Sequence, residues 1–489
     1  MATKKDLVEA YSFSRRRLVT AFVSGAPGGR EVEPTKPGRT IVGGLALAIL
    51  LLAGAAIAGV LKPNVDVDWE QPGFVLSKEK GAAYVILEPD EEGNARVRPV
   101  INVTSAQLIL GEDIEPEVVP QEEIDTQTPG ADIGILGAPV TVPDTGHLVE
   151  SGWTACTGDG LGIKLDVRTR PDASPVASGG VVVRAGKAVH VIAESVPEDG
   201  DEPTARRFEL PRTPGMDILL GALGLEKSGS AAKVPSDWLD LFPRGGALAA
   251  ESLGLDGFGT PSAAAGKGGL PADANVGDYY EIEGVLYVLT KEGPAQFTAF
   301  PSAVFLNVDF PQPPKDLGLE EPPDLLLEDP PYQAAGWPDE LPTVASAECA
   351  QLLPQEGEKP RVLLADGPGS DASAEDVEHK SREVTVEAGQ GAYVLSGGWD
   401  ATDVGEPFVV DSKGFSYALL GTDAVENLGY AGYDAPVVPE SWLELFESGV
   451  ALSVNAALCP PSRPDAPAQE AATEEAATEE SAEEGRSCE

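Results

Sequence analysis

Residues 234–248 read VPSDWLDLFPRGGAL, and residues 438–452 read VPESWLELFESGVAL. Nine of the fifteen aligned positions are identical across a separation of 204 residues, which marks an internal repeat. A proline followed by Ser or an acid starts a short helix. Trp238, Leu239, Leu241 and Phe242, and likewise Trp442, Leu443, Leu445 and Phe446, then supply the apolar surface that packs such a helix onto a sheet. Each copy also follows a Leu-Gly step, Leu223-Gly224-Leu225 and Leu428-Gly429-Tyr430. The tryptophans are structural in this reading; sugar stacking is the weaker alternative.

Around this pair the chain reads as strands and turns. Ala82–Leu87, a turn through Pro89–Asn94 and Arg96–Val103 form a hairpin pattern, with a short helix over Ser105–Leu110 ended by Gly111. The syntax returns at Asp278–Ile282 with Val285–Leu289, and at Pro407–Val410 with Phe415–Leu419. Three like hairpins and a duplicated Trp segment predict a repeated α+β module. Residues 254–275 and 311–342, rich in Gly or Pro, read as connectors, only partly ordered.

Residues 41–61, IVGGLALAILLLAGAAIAGVL, carry no charge and, at about 1.5 Å per residue, extend roughly 30 Å, enough to cross a bilayer core. The 40 residues before this run hold eight Lys or Arg and four acids, a net of +4; with −46 for the whole chain, the remainder carries −50. Short basic flanks stay cytoplasmic, so the large acidic part is expected outside. Ala56-Ile57-Ala58 resembles a signal-peptidase site, but the basic region and the apolar run are both too long for a signal peptide. The expected order is a cytosolic arm (1–40), a transmembrane helix (41–61), an extracytoplasmic ectodomain (62–459) and an acidic tail (460–489). With nine acids, two arginines and AATEE repetition, the tail is expected to be disordered. The acid excess excludes nucleic acid as a partner.

The arm predicts a helix over Lys5–Ser24. Leu7, Tyr11, Leu18 and Phe22 recur at helical spacing and share a face, while Arg15, Arg16 and Arg17 fan around it. Such a helix touches lipid headgroups or docks on a cytosolic partner. Residues 25–38 read as a linker.

No chemistry-bearing constellation emerges. His147, His190 and His379 are scattered without ligand spacing, and no HExxH, CxxC, calcium loop or G-x-S-x-G elbow occurs. Gly186-Lys187 and Gly266-Lys267 lack the hydroxyl and glycine of a phosphate loop and read as turns. No metal and no cofactor is expected. Four cysteines suit an oxidising compartment. A bridge between Cys156 and Cys349 would enclose a long loop and contribute about 5 kcal/mol in the chain-entropy model. Cys459 and Cys488 could pair or stay free, and connectivity is not readable from sequence.

Taken in order, several segments resemble one family. They include Thr3-Lys4 with Phe13 and the arginines before Leu18, the lone apolar span, Val100–Ala106 with Leu108–Gly111, and Ile133-Gly134 with Gly137–Pro139. Trp153-Thr154 with Cys156, Val410-Asp411 with Gly414 and Tyr417, and Pro439–Leu458 complete the set. The chain resembles EccB, the single-span membrane subunit of the actinobacterial type VII (ESX) secretion system. The resemblance implies an elongated ectodomain of four related β-rich repeats around a central β-rich core, with quasi-two-fold symmetry. It implies a core disulfide, mapping onto Cys156 and Cys349. It implies as partners an EccC-type FtsK-like ATPase, the EccD and EccE membrane subunits, a mycosin protease, the lipid bilayer and other copies of the ectodomain. Some members carry an ATPase label, so a nucleotide-hydrolysing ectodomain is one alternative function and a cell-envelope-binding module another. The acidic tail ending Cys488-Glu489 and the Gly-Ala insert near 254–275 depart from the family pattern.

Overall fold

The computed structural model describes residues 4–24, 69–88, 96–112, 114–158, 162–195, 202–346, 348–369 and 372–461. The apolar run at 41–61, the linker at 25–38, most of the acidic tail and Cys488 lie outside the described residues. Among the described residues no helix is long and apolar enough to cross a membrane. Residues 1–68 and 69–489 are separate units. In the first, helix α1 (Lys4–Ser24) starts one residue before the expected position.

In the second unit, β1 (Gly73–Ser77), β2 (Ala83–Leu87) and β3 (Arg96–Pro99) form an antiparallel meander. Helix α2 (Val103–Leu110) follows, capped by the Asn102 side chain accepting from Ser105 N at 2.8 Å. β4 (Glu117–Val119) then returns parallel to β1, α3 (Gln121–Ile124) makes one turn, and Ile133 bridges parallel to Val100.

The chain next lays down β5 (Trp153–Cys156), β6 (Ile163–Val167) and β7 (Ser174–Pro175) of a different sheet. The first pattern then recurs. β8 (Gly179–Ala185), β9 (Ala188–Ser195) and β10 (Thr204–Leu210) form a meander, followed by α4 (Met216–Ala222). β11 (Ala232–Lys233) returns parallel to β8, and α5 (Ser236–Leu239) precedes a parallel bridge from Arg244 to Arg207. A third meander comprises β12 (Tyr279–Ile282), β13 (Val285–Leu289) and β14 (Pro294–Phe297), followed by α6 (Ala299–Asn307). Asp316 bridges parallel to Tyr279 and Glu328 parallel to Ala295.

After β15 (Thr343–Val344), which pairs with β8, come β16 (Cys349–Leu353), β17 (Arg361–Asp366) and β18 (Arg382–Val386). The fourth meander is β19 (Ala392–Gly397), β20 (Glu406–Val410) and β21 (Phe415–Ala418), with α7 (Thr422–Asn427). β22 (Val437–Pro439) lies parallel to β19, α8 (Glu440–Leu443) follows, β23 (Glu447–Ser448) lies parallel to β21, and α9 (Val454–Leu458) closes the element order.

The four outer sheets are therefore wired alike: meander, helix, a strand or bridge returning parallel to the first strand, then one parallel to the third. The central sheet runs β18-β6-β5-β16-β17-β7 and joins hairpins from distant parts of the chain. Its inner position explains the side-chain pattern of its neighbours. Successive strand residues face opposite ways. On β8, Val181 and Val183 join the central core while Val182 joins the core shared with the third sheet. On the fourth sheet, Ala392 and Val394 face the centre, and Tyr393 packs with Leu108 and Ile135 of the first sheet's segment. Contact therefore passes from the first sheet to the fourth, the centre, the second and the third.

The supposed connectors are packed elements. Ala264, Leu270 and Ala274 are buried against Tyr280 and Leu289, with Leu317 and Leu325 alongside, so they cover the third sheet's other face. Small residues permit this close approach. At Gly268, φ is +57° and a Cβ would meet the Asp324 carbonyl oxygen at 2.7 Å.

Candidate functional site

Both copies of the duplicated segment start from a proline at φ −60°, which is preset for a following helical turn. The turn brings Trp238 and Trp442 into the central core, each fully buried. Trp238 stacks edge-on with Phe242 at 5.1 Å, and Phe446 meets Trp153 of β5 edge-on at 5.4 Å. Leu239, Leu241, Leu443 and Leu445 are buried in the same cluster. The two indoles differ in their acceptors: Trp238 donates to the Ala155 carbonyl at 2.9 Å, Trp442 to the Leu241 carbonyl at 3.2 Å. The Leu-Gly steps end α4 and α7. Gly224 and Gly429 take φ of +73° and +85°, and Leu225 N and Tyr430 N bond back to Leu220 O and Val425 O, each at 2.9 Å.

Two features of this site escape a sequence reading. Val119-Pro120-Gln121-Glu122-Glu123-Ile124 makes the same proline-led turn in the first sheet, with Ile124 buried where Leu239 and Leu443 stand. Only Val-Pro and the aliphatic residue four positions after the proline betray it. Arg382 on β18 pairs with Asp237 of one Trp turn and donates to the Glu444 carbonyl of the other. Nothing in its local sequence distinguishes this arginine.

Cys156 and Cys349 are bonded and face each other directly across β5 and β16. Their neighbours Thr157 and Glu348 share a backbone hydrogen bond of 2.8 Å, so the cysteines occupy the non-hydrogen-bonded position, where side chains lie closest. The bridge joins the two hairpins of the central sheet at residues 193 apart in sequence. Cys459 is also disulfide-bonded.

On α1, Leu7, Tyr11, Arg15, Arg16, Arg17 and Leu18 are all exposed, as are Val8, Phe13 and Val19 outside the expected face. Phe22 lies on the same helix.

A cavity of about 260 Å³ is lined by Asp144, His147, Gln390 and Asp411, among others. Asp144 accepts from His147 Nδ1 at 2.8 Å, and this bond holds its carboxyl below the usual range. The Asp411 carboxylate is taken up by its own hairpin, accepting from Lys413 N at 2.9 Å and Phe415 N at 3.0 Å. Burial lowers the pKa of His190. Among the described residues no group of three or more His, Cys, Asp or Glu is arranged to hold a metal ion.

These features define a disulfide-joined α+β scaffold in which several sheets converge on one core. The chain belongs to the family described as "Type VII secretion system ESX-1, transport TM domain B", whose model matches residues 1–461. It is 30% identical over 183 residues to "ESX-1 secretion system ATPase EccB1" of Mycolicibacterium smegmatis, covering 37% of this chain and 35% of that protein. It is 26% identical over 494 residues to "ESX-3 secretion system ATPase EccB3" of Mycobacterium tuberculosis, covering 89% and 87%. The match thus spans about a third of the ESX-1 relatives' length. A chain in the structure of an intact ESX-5 inner membrane complex superposes with a TM-score of 0.58 at 20% identity, over 97% of this chain and 98% of that one. The EccB3 dimer from the ESX-3 core complex gives 0.53 at 20% identity, over 79% and 99%. At these identities the structures show a shared fold.

Proposed function

We propose that this chain is a structural membrane subunit of a type VII secretion machine, linking the cytosolic motor side to an extracytoplasmic assembly. The observation that carries this is the family match over residues 1–461, which takes in the arm helix and all five sheets. In this reading residues 41–61 cross the inner membrane once, with the N-terminus cytoplasmic. The four like-wired sheets are copies of one module set about the central sheet with quasi-two-fold symmetry. The ectodomain associates with further copies and with a mycosin protease. The arm helix docks through Leu7, Tyr11, Leu18 and Phe22, with Arg15 to Arg17 beside them, on an EccC-type ATPase and the EccD and EccE subunits.

The test is co-purification of the tagged full chain in mild detergent. The ATPase and membrane subunits should accompany the native chain. Replacing Leu7, Tyr11, Leu18 and Phe22 by Ser should cut their recovery at least tenfold. Undiminished recovery would remove α1 as the contact. The relatives' names carry an ATPase activity; calorimetry of the full chain with ATP and Mg²⁺ separates that reading, which requires heat of binding and turnover.

A further inference from the structure

Helices α4 and α6 pack side by side between the second and third sheets and leave a cavity of about 180 Å³. Its floor is apolar, with Leu210, Leu219 and Leu248 buried beneath it. Its rim carries two exposed carboxylates, Glu251 and Asp309, and neither has an ion-pair partner among the described residues. A cavity of about 150 Å³ walled by aliphatic groups accommodates a benzene-sized molecule, so this one has room for a leucine, methionine or phenyl side chain. The same two helices carry Ile218 and Leu306, 67% and 51% exposed. These two side chains lie outside the cavity lining, and a small amine filling the cavity alone would leave them uncovered.

We propose that this groove docks a basic segment of another protein. An apolar side chain of that segment seats over Leu219 and Leu248, and flanking Lys or Arg side chains face Glu251 and Asp309. Charge selects this occupant. The chain's own residues 460–489 hold nine acids against two arginines and do not complement an acidic rim. A second copy, with a net charge of −46, complements this rim less than a basic segment does, whichever other faces carry self-association. The inference rests on the reading of the ectodomain as the assembly-forming part and names the chemistry of one partner surface.

The test uses the full chain in detergent and a labelled peptide, Lys-Lys-Leu-Phe-Lys-Lys, followed by fluorescence anisotropy. A strongly acidic protein attracts any cation, so Lys-Lys-Gly-Ser-Lys-Lys and Glu-Glu-Leu-Phe-Glu-Glu are run beside it. The first peptide should bind at least tenfold more tightly than either control. Ala249→Trp, which plugs the cavity, should weaken it about tenfold. Glu251→Gln with Asp309→Asn should weaken it at least threefold and flatten its salt dependence. Equal binding of the peptide without apolar residues, or no response to the two rim substitutions, overturns the proposal. The rim pair is exposed and leaves the core untouched, so it decides the matter even if the plug disturbs folding. This binding is read on the chain alone, so its failure is distinct from loss of co-purified subunits.

Discussion

The second and fourth outer sheets share a three-stranded meander with a strand returning parallel to its first member, and end in segments identical at nine of fifteen positions, yet they stand differently on the centre. Trp238 is tied to the central strand through Ala155, whereas Trp442 is tied to Leu241, inside the other copy. The fourth sheet still reaches the centre through Phe446 on Trp153, but its indole rests on its twin. A duplicated element can thus keep its packing while its polar contacts diverge. The fourth copy's indole thus bonds to the second copy, while the second copy's indole bonds to the central sheet, and the second copy is expected to depend less on the fourth than the reverse.

This asymmetry is most sharply broken at the tryptophans. Trp238→Ala removes a fully buried side chain and should cost about 3–5 kcal/mol in urea unfolding. Hydrogen exchange should show protection lost in both 234–242 and 438–446. Trp442→Ala should cost about as much and loosen only 438–446. Equal spread from both variants would contradict the hierarchy.

Removing the disulfide with Cys156→Ala and Cys349→Ala should cost about 2–5 kcal/mol, since the bridge constrains a long loop in the unfolded chain. It should affect the second and fourth sheets alike, because both pack on the sheet it joins. Loss confined to one of them would refute that arrangement.

Alkali should separate the two sheets by composition. Burial raises the phenol pKa values of Tyr393, Tyr417, Tyr430 and Tyr433, with Asp411 beside Tyr417 and Glu150 beside Tyr433 adding to the effect. Residues 179–248 contain no tyrosine. A raised folded pKa favours the neutral phenol in the folded state. That stabilisation is complete below about pH 10 and declines as pH climbs from there. At about pH 10.5 a buried phenol such as Tyr430 should lose on the order of 1 kcal/mol. A brief pulse with an alkali-tolerant protease should cut within 392–458 before 179–248.

The smallest effect is expected at Arg382, which touches both Trp turns but is partly exposed. Arg382→Ala should cost under about 1 kcal/mol in a urea titration. A larger loss would make the arginine a principal clamp between the copies.

The legible parts of this fold were local. The Trp turns, the hairpins at 278–289 and 407–419 and helix α1 follow from proline placement, turn residues and periodicity within short windows. The central sheet did not follow, because its strands pair across residues as far apart as Ile163 and Arg382. Strands β8 and β9 were also hidden: buried on both faces, they read as runs such as Val181–Val183 without the alternation that betrays a half-exposed strand. In 254–275, glycine and alanine signalled flexibility, when at Gly268 the missing side chain permits tight packing. Among the candidate contacts, only the helix that carries Leu7, Tyr11, Leu18 and Phe22 was legible from spacing. The α4–α6 groove was not, since it is assembled from segments nearly a hundred residues apart.

The proposed role is tested most directly by deleting the gene in its host and measuring the proteins of the culture medium by quantitative mass spectrometry. The account predicts that a defined set of exported proteins falls at least tenfold and returns when the intact chain is restored. An unchanged set of exported proteins in the deletion strain would contradict it.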